Sequence, residues 1–219
     1  MERHLFTNNA SNMIISLDLM VKSYDLKIKG VLHIGAHYGQ EYGVYADKGI
    51  KNMIFFEPVM ANYKELVARV PMVDGIRTLN IALGNRAGEM EMFMEKSNNG
   101  QSCSLLEPVT HLKLHPHVKF DGMETVSMDK LDNIEFDRSL FNMINIDVQG
   151  YELEVFKGSI ETLTFIDIIY SEVNTEDVYK GCAKMWEVDE FLGNFGFKRV
   201  MEAFPYGKAW GDALYLKQK

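Results

Sequence analysis

Short apolar segments that end in a glycine turn or an acidic residue, and that alternate with helical segments, constrain this chain more than any other feature. The first three are residues 31–36 (VLHIGA), 52–58 (NMIFFEP) and 75–84 (GIRTLNIALG). Between the second and third, apolar side chains recur at helical spacing: Tyr63, Leu66, Val67 and Val70. Strands that alternate with helices predict a parallel sheet with right-handed crossovers.

The same alternation resumes after an irregular middle part. Extended segments are predicted at residues 89–96, 123–131, 141–148 and 165–173, and an antiparallel pair at 197–204 and 212–217. We therefore predict one α/β domain over residues 1–219, with a Rossmann-like sheet of about seven strands. The sheet is mostly parallel with an antiparallel C-terminal hairpin, and helices cover both faces. Residues 1–30 form an N-terminal helical segment, and residues 97–122 an insertion or lid over the active site.

Composition narrows the class of protein. The formal net charge of −8 argues against broad binding to nucleic acid or to an anionic membrane. Neither a signal peptide nor a run of about 20 apolar residues is recognisable. The two cysteines, Cys103 and Cys182, match no metal-binding spacing and suit free thiols in a reducing compartment. We predict a soluble, cytoplasmic protein without membrane insertion; the oligomeric state stays open.

A glycine turn follows the first strand, in HIGAHYGQE (33–41). Gly35 and Gly39 allow the backbone to approach a ligand, but the third glycine of the dinucleotide fingerprint is missing. Glu57 ends the second strand, 22 residues after Gly35, where an acid can bind ribose hydroxyls. Asn80 and Ala82 end the third segment, where a strand can border an adenine ring. Together these features favour a nucleoside-type cofactor.

Acidic residues mark the ends of two later strands. Asp147 ends the fourth parallel strand and Glu172 the fifth, so both should face the crevice where open α/β sheets bind ligands. Two such carboxylates could raise one pKa for a general base, or hold a hard cation such as Mg²⁺. Asp147, Glu172 and Asn174 lack an obvious metal spacing, so we predict no metal site. Glu152 points either into the crevice or at its own helix N-terminus.

The residues that can contact an acceptor are less specific. The polar loop 97–104, with Asn99 and Ser102, can bind a sugar or serve as a mobile lid or plain turn. Three histidines, His111, His115 and His117, are further candidates for a general base or for acceptor binding. Trp210 can stack on a sugar or belong to the core.

Six segments resemble, in order and approximate spacing, the motifs of FkbM-type S-adenosylmethionine-dependent methyltransferases: HIGAHYGQE, FFEP, NIALGNRAGEMEMF, NNGQSCSL, INIDVQGYELEVFKG and IIYSEVN. The resemblance runs from about residue 30 to the C-terminus. It implies a methyltransferase fold with a reversed terminal hairpin, and O-methylation, often of sugars or glycan-like acceptors. The chain departs from many members at His33, where they carry aspartate.

The resemblance also implies roles for individual residues. Gly35 and Gly39 would line the methionine part of S-adenosylmethionine, and Glu41 would help to hold it. Glu57 would bind the ribose hydroxyls, and Asn80 and Ala82 would border the adenine. His37 is a further expected contact of the cofactor. Asp147 would approach the methionine amino group or the acceptor, with Glu172 as a second catalytic candidate. The expected acceptor contacts are Asn99, Ser102, His115, Glu152, Asn174 and Trp210. We expect S-adenosylhomocysteine as the product, a small-molecule or glycan partner, and no nucleic acid.

Two alternatives remain open. One is a module that binds S-adenosylmethionine or a nucleotide without catalysis. The other is a nicotinamide oxidoreductase, which the missing third glycine disfavours.

Overall fold

A computed structural model describes residues 13–218 and contains two β-sheets. The seven strands of the main sheet are β1 (Gly30–Ile34), β2 (Asn52–Phe56), β3 (Ile76–Leu79), β7 (Met143–Ile146), β8 (Ile168–Asn174), β9 (Phe197–Ala203) and β10 (Trp210–Lys217). Their order is β3-β2-β1-β7-β8-β10-β9. The five strands from β3 to β8 are parallel, and β10 is antiparallel to both β8 and β9. The predicted α/β sheet with an antiparallel C-terminal hairpin is confirmed.

Helices cover both faces of this sheet. They are α1 (Leu17–Tyr24), α2 (Tyr42–Asp47), α3 (Met60–Arg69), α4 (His111–Leu114), α5 (Glu152–Lys157) and α6 (Met185–Gly193). One core cluster joins side chains of α1, α2 and α3 to one face of the central strands. A second cluster joins side chains of α5 and α6 to the opposite face. Because both faces are covered, the two central strands β1 and β7 consist mainly of buried apolar residues, interrupted by His33 and Asn145.

A smaller sheet of three strands was not predicted. It consists of β4 (Ala82–Leu83), β5 (Gly88–Glu95) and β6 (Phe120–Asp129), in the order β4-β6-β5. The predicted extended segments 89–96 and 123–131 thus pair with each other and not with the main sheet. Residues 96–119 connect β5 and β6 and include α4, so the last three residues of the predicted insertion 97–122 belong to β6.

The start of the described chain is fixed to the main sheet. The backbone N–H of Ile14 donates to Asp212 Oδ2 (3.0 Å), and that of Ile15 donates to the hydroxyl of Tyr170 (3.0 Å). Ser16 then caps α1. The part of the predicted N-terminal segment before residue 13 lies outside the described residues. Within residues 13–218, none of the helices has the length and hydropathy that crossing a membrane requires.

Candidate active site

A cavity of about 520 Å³ opens at the edge of the sheet where the parallel strands end. Its walls come from the turn after β1, the ends of β2, β7 and β8, the segment 97–122 and the loop between β9 and β10. Five of the lining residues are carboxylates: Glu41, Glu57, Asp147, Glu172 and Asp212. Among the described residues that line it, none is a lysine or arginine. The cavity is therefore suited to a ligand that carries positive charge.

The glycine turn after β1 lies directly against the end of β7. Gly35 has a φ of +79°, and a Cβ at this position would lie 1.8 Å from the carbonyl oxygen of Asp147. Only glycine fits such an approach. Gly39 also has a positive φ, but a side chain there would meet Leu66 of α3, and Gly39 does not line the cavity. Its position serves the packing of the turn against α3.

Glu57 holds the glycine turn and its own strand end together. Its carboxylate accepts hydrogen bonds from the backbone N–H of His37 (2.8 Å) and of Val59 (2.9 Å). Burial raises the pKa of Glu57 to about 7, although these hydrogen bonds oppose the rise. The side-chain amide of Asn80 donates to the carbonyl oxygens of Glu57 and Pro58 (2.9 and 2.8 Å). Asn80 thus stabilises the end of β2 by hydrogen bonds and does not itself line the cavity.

A second, apolar cavity of about 20 Å³ adjoins the first. Gly35, Pro58, Met92 and Val148 line both cavities. The smaller one is bordered further by β4, the residue before it and an aromatic ring: Ile81, Ala82, Leu83 and Tyr151. Of the residues predicted to contact the cofactor, Ala82 therefore lies at an apolar extension of the site.

Three carboxylates cluster where β7 and β8 end. Asp147, Glu152 and Glu172 each offer an oxygen within 4.8 Å of the others. Gln149 lies between two of them: its amide donates to Asp147 Oδ1 (2.7 Å) and to Glu172 Oε2 (3.1 Å), and its Oε1 accepts from the hydroxyl of Tyr179 (2.6 Å). Gln149 adopts a φ of +54°, which turns its side chain back over the strand ends. The amide fixes the position of both carboxylates.

Glu152 points at the turn that precedes its own helix. Its Oε1 accepts hydrogen bonds from the backbone N–H of Val148 (3.0 Å) and Gly150 (3.1 Å). Glu152 is buried and does not line the cavity. Of the two orientations that the sequence left open, the structure has the one toward the helix N-terminus, while the carboxylate stays within the acidic cluster.

Burial and mutual repulsion raise the pKa values of this cluster. The pKa of Glu172 lies well above its ordinary value, because the group is buried and faces Asp147 and Glu152. Burial raises the pKa of Glu152 to about 7. Burial also raises the pKa of Asp147, although its side chain is open to the cavity and the Gln149 amide opposes the rise. The three carboxylates therefore take up protons more readily than isolated ones, and a raised pKa favours a role as general base for a hydroxyl group.

Three carboxylates are also ligands that Mg²⁺ prefers. In this arrangement, however, N–H donors already occupy oxygens of all three: the amide of Gln149 serves Asp147 and Glu172, and two backbone groups serve Glu152. The Gln149 amide would therefore compete with a cation for Asp147 Oδ1 and Glu172 Oε2. The sequence-based expectation of no metal site stays a prediction.

Sequence reasoning missed Asp212 and Tyr170, which form a further polar wall of the cavity. Asp212 pairs directly with Glu172 across β10 and β8 and accepts hydrogen bonds from Tyr170 and from the N–H of Ile14. Burial raises the pKa of Asp212 to about 7. The available signal was a single acid within the otherwise apolar segment WGDALYLK.

The segment 97–122, the predicted lid, is linked to the glycine turn through the backbone carbonyl of Asn99. The carbonyl oxygen of Asn99 accepts hydrogen bonds from His37 Nε2 (2.7 Å) and from the hydroxyl of Tyr38 (3.0 Å). Because a carbonyl can only accept, His37 Nε2 carries the proton, and Nδ1 is left to accept from the amide of Gln40 (2.8 Å). Residues 98 and 100–103 line the cavity, but Asn99 does not. Asn99 thus links this segment to the glycine turn through its backbone carbonyl.

The segment 97–122 also brings two histidines and a serine to the cavity. His111 Nε2 lies 3.1 Å from Ser102 Oγ, and both residues are buried. Burial lowers the pKa of His111 to about 4, so its ring is neutral at neutral pH. The ring of His115 lies 6.2 Å from that of Trp210. All four residues line the cavity.

The structure brings most of the predicted site residues to one place. Those that line the main cavity are Gly35, His37, Glu41, Glu57, Ser102, His115, Asp147, Glu172 and Trp210. Those that lie outside both linings are Gly39, Asn80, Asn99, Glu152 and Asn174. Asn174 is buried on β8, and its side-chain amide has no hydrogen-bond partner within residues 13–218.

Comparisons with known proteins agree with this geometry. The family model described as Methyltransferase FkbM domain matches residues 33–199. The 2-O-methyltransferase NoeI of Sinorhizobium fredii is 28% identical over 198 residues, which cover 86% of this chain and 79% of that protein. A S-adenosylmethionine-dependent methyltransferase from Clostridium acetobutylicum has a similar structure, with a TM-score of 0.51 at 8% identity over 91% of this chain and 88% of that one. Sp1610 from Streptococcus pneumoniae, solved with S-adenosyl-L-methionine, also has a TM-score of 0.51, at 16% identity over 91% of this chain and 72% of that one.

Proposed function

This chain belongs to the FkbM methyltransferase family, and on that premise we propose that it transfers a methyl group to a hydroxyl of a sugar or glycan-like acceptor. It is a S-adenosylmethionine-dependent methyltransferase. The family match decides against the nicotinamide oxidoreductase that the glycine turn left open, and against a module without catalysis. The finer proposal concerns the acceptor and the residues that act on it.

The acidic cavity is the observation that carries the proposal. S-adenosylmethionine has a sulfonium and an ammonium group, and the cavity offers five carboxylates and no lysine or arginine among its described lining residues. Gly35, His37 and Glu41 would hold the methionine end, Glu57 the ribose hydroxyls, and Ala82 would border the adenine. The apolar cavity at Ala82 measures only about 20 Å³, so its walls would have to open for the ring.

The carboxylate cluster supplies the base that an alcohol acceptor needs. When bound, S-adenosylmethionine provides an electrophilic methyl group with a neutral thioether as the leaving group. Asp147 is open to the cavity and is positioned by a hydrogen bond from Gln149, so we assign to it the role of the base that accepts the proton of the acceptor hydroxyl. Glu172 is buried beside it, and repulsion between the two keeps a proton within the pair. A base of raised pKa works closest to neutral pH.

A neutral, hydroxyl-rich acceptor suits the rest of the cavity. An anionic acceptor would meet carboxylates without a compensating cation among the lining residues. Ser102 and His115 offer hydrogen bonds from the lid, and Trp210 offers an aromatic face. Asn99, Glu152 and Asn174 would act on the acceptor only indirectly, since they do not line the cavity. The 28% identity to a 2-O-methyltransferase supports transfer to oxygen.

Incubation with methyl-labelled S-adenosylmethionine tests the proposal. Glycans, lipids and small molecules from the source cell are separated, and mass spectrometry shows which fraction gains the label. We expect label in a carbohydrate-containing fraction, and its loss with Asp147→Asn. Label confined to protein or nucleic acid would show that the acceptor is wrong.

A further inference from the structure

An aromatic surface lies at the outer end of the cavity. Tyr206 stacks on Trp210, with ring centroids 5.5 Å apart and an angle of 26° between the planes. His115 approaches Trp210 from the lid, at 6.2 Å. All three line the cavity, yet 68% of Tyr206 is exposed. We call Tyr206, Trp210 and His115 the outer aromatic surface.

Position along the strands separates this surface from the carboxylates. Trp210 begins β10, and Asp212, two residues later, pairs with Glu172 on β8. Two residues of an extended strand span about 7 Å. The outer aromatic surface therefore begins about one sugar unit along the strand from the pair Asp212 and Glu172, which line the same cavity as Asp147.

The chemistry of the surface selects a neutral ring. Large aromatic side chains that remain exposed at the mouth of a cavity mark a place where a ligand covers them. Tyrosine and tryptophan combine an apolar ring face with a hydrogen-bonding edge, which matches the apolar C–H face and hydroxyl rim of a pyranose. A sugar diphosphate would instead require cationic partners, and no lysine or arginine stands among the described lining residues.

We propose that the outer aromatic surface is a subsite for a second sugar unit of the acceptor. On this view, which rests on the proposed function, the enzyme methylates glycans of two or more units in preference to free monosaccharides. The inner unit presents its hydroxyl to Asp147. The neighbouring unit lies on Trp210 and Tyr206.

The test uses labelled S-adenosylmethionine and neutral glycans from the source cell, separated by size into fractions of one, two, and three or more units. The smallest labelled glycan and its shortened forms are then purified for kinetics. We expect Trp210→Ala and Tyr206→Ala to raise KM for glycans of two or more units about tenfold, equivalent to about 1.4 kcal/mol. The Kd for S-adenosylhomocysteine should stay within about twofold of wild type, because the aromatic surface lies at the acceptor end.

Two variants keep this test clear of folding effects. Trp210→Phe retains a ring and should restore most of the affinity. Trp186→Ala removes the other tryptophan of the chain, which is 63% exposed on α6 and does not line the cavity, and should leave all kinetic constants unchanged.

The outcomes separate the subsite from the proposed function. If free monosaccharides are methylated as efficiently as longer glycans, the subsite is wrong and the proposed function stands. The same holds if Trp210→Ala leaves KM unchanged for monosaccharides and for longer glycans. If only nucleotide-linked sugars are methylated, the subsite is also wrong. If no sugar of any length gains label while S-adenosylhomocysteine binds, the proposed function itself fails.

Discussion

Replacement of Glu152 tests whether this carboxylate supports the turn after β7 or contacts the acceptor. Its Oε1 accepts two backbone hydrogen bonds, from Val148 and Gly150, and its side chain is buried. Alanine would leave both donors unsatisfied, at a cost of about 1–3 kcal/mol each. We expect Glu152→Ala to lower the free energy of unfolding by about 3 kcal/mol. At about 2–4 °C per kcal/mol for a chain of this size, Tm falls by about 6–12 °C.

Glutamine at the same position separates the hydrogen bonds from the charge. Glu152→Gln retains an oxygen for both N–H groups but cannot ionise. The pKa of Glu152 in the folded protein is raised from 4.5 to about 7, so its favourable contribution is complete below about pH 4.5 and is lost as the pH rises through 7. Between pH 6 and pH 8 the wild type therefore loses about 1 kcal/mol that Glu152→Gln does not lose.

Urea denaturation of both variants at pH 6 and pH 8 measures these differences, and turnover with the labelled acceptor accompanies it. We expect Glu152→Ala to be the less stable variant at both pH values. The free energy of unfolding of Glu152→Gln, relative to that of the wild type, should be higher at pH 8 than at pH 6. Equal destabilisation by alanine and glutamine would refute the role in the turn. A stable Glu152→Gln protein with a large rise in acceptor KM would show that Glu152 contacts the acceptor, as the sequence predicted.

Three further changes test other parts of the site. Asp147→Asn should lower kcat by about 10²–10⁴, while S-adenosylhomocysteine still binds in calorimetry. The kcat of Glu154→Gln, a change on helix α5, should stay within about twofold of wild type. Equal losses of kcat in the two variants would show that Asp147 is not the base. Gly35→Ala should lower the free energy of unfolding, measured by denaturant titration, by about 3 kcal/mol or more. Residue 35 has a φ of +79°, and a Cβ there would lie 1.8 Å from the carbonyl oxygen of Asp147. A variant as stable as the wild type would contradict this close approach. Glu57, with a pKa of about 7, should ionise between pH 6 and pH 8 and thereby tighten the binding of S-adenosylmethionine. The effect on S-adenosylhomocysteine should be smaller, because that ligand lacks the sulfonium charge. Equal pH dependence of the two dissociation constants in calorimetry would contradict the electrostatic fit.

The strands of the main sheet were predictable because burial on both faces leaves a continuous apolar signal. The predicted segment 31–36 covers β1 except for Gly30, and 141–148 contains β7; the two strands pair in parallel at the centre of the sheet. The three-stranded sheet was not predictable in the same way. The alternation in residues 89–96 identifies a strand with one exposed face but does not specify its partner, which is β6, more than 20 residues later.

The site was predictable where it depends on strand ends. Gly35, Glu57 and Asp147 converge because parallel strands end at a common edge, and the sequence places each of them at such an end. The positions of Asp212 and Gln149 depend on features that strand ends do not reveal. Asp212 reaches the cavity through the antiparallel register of β10 against β8, which has no local signal, and Gln149 bridges two carboxylates from a left-handed backbone conformation.

The position of the transferred methyl group tests the central claim most directly. The enzyme is incubated with ¹³C-methyl S-adenosylmethionine and the labelled glycan fraction, and the product is examined by NMR. We predict a methyl resonance attached to a sugar oxygen, formed in equal amount with S-adenosylhomocysteine and at a rate about a hundredfold or more lower with Asp147→Asn. A methyl group on nitrogen or carbon, or on a product without a sugar, would contradict the account.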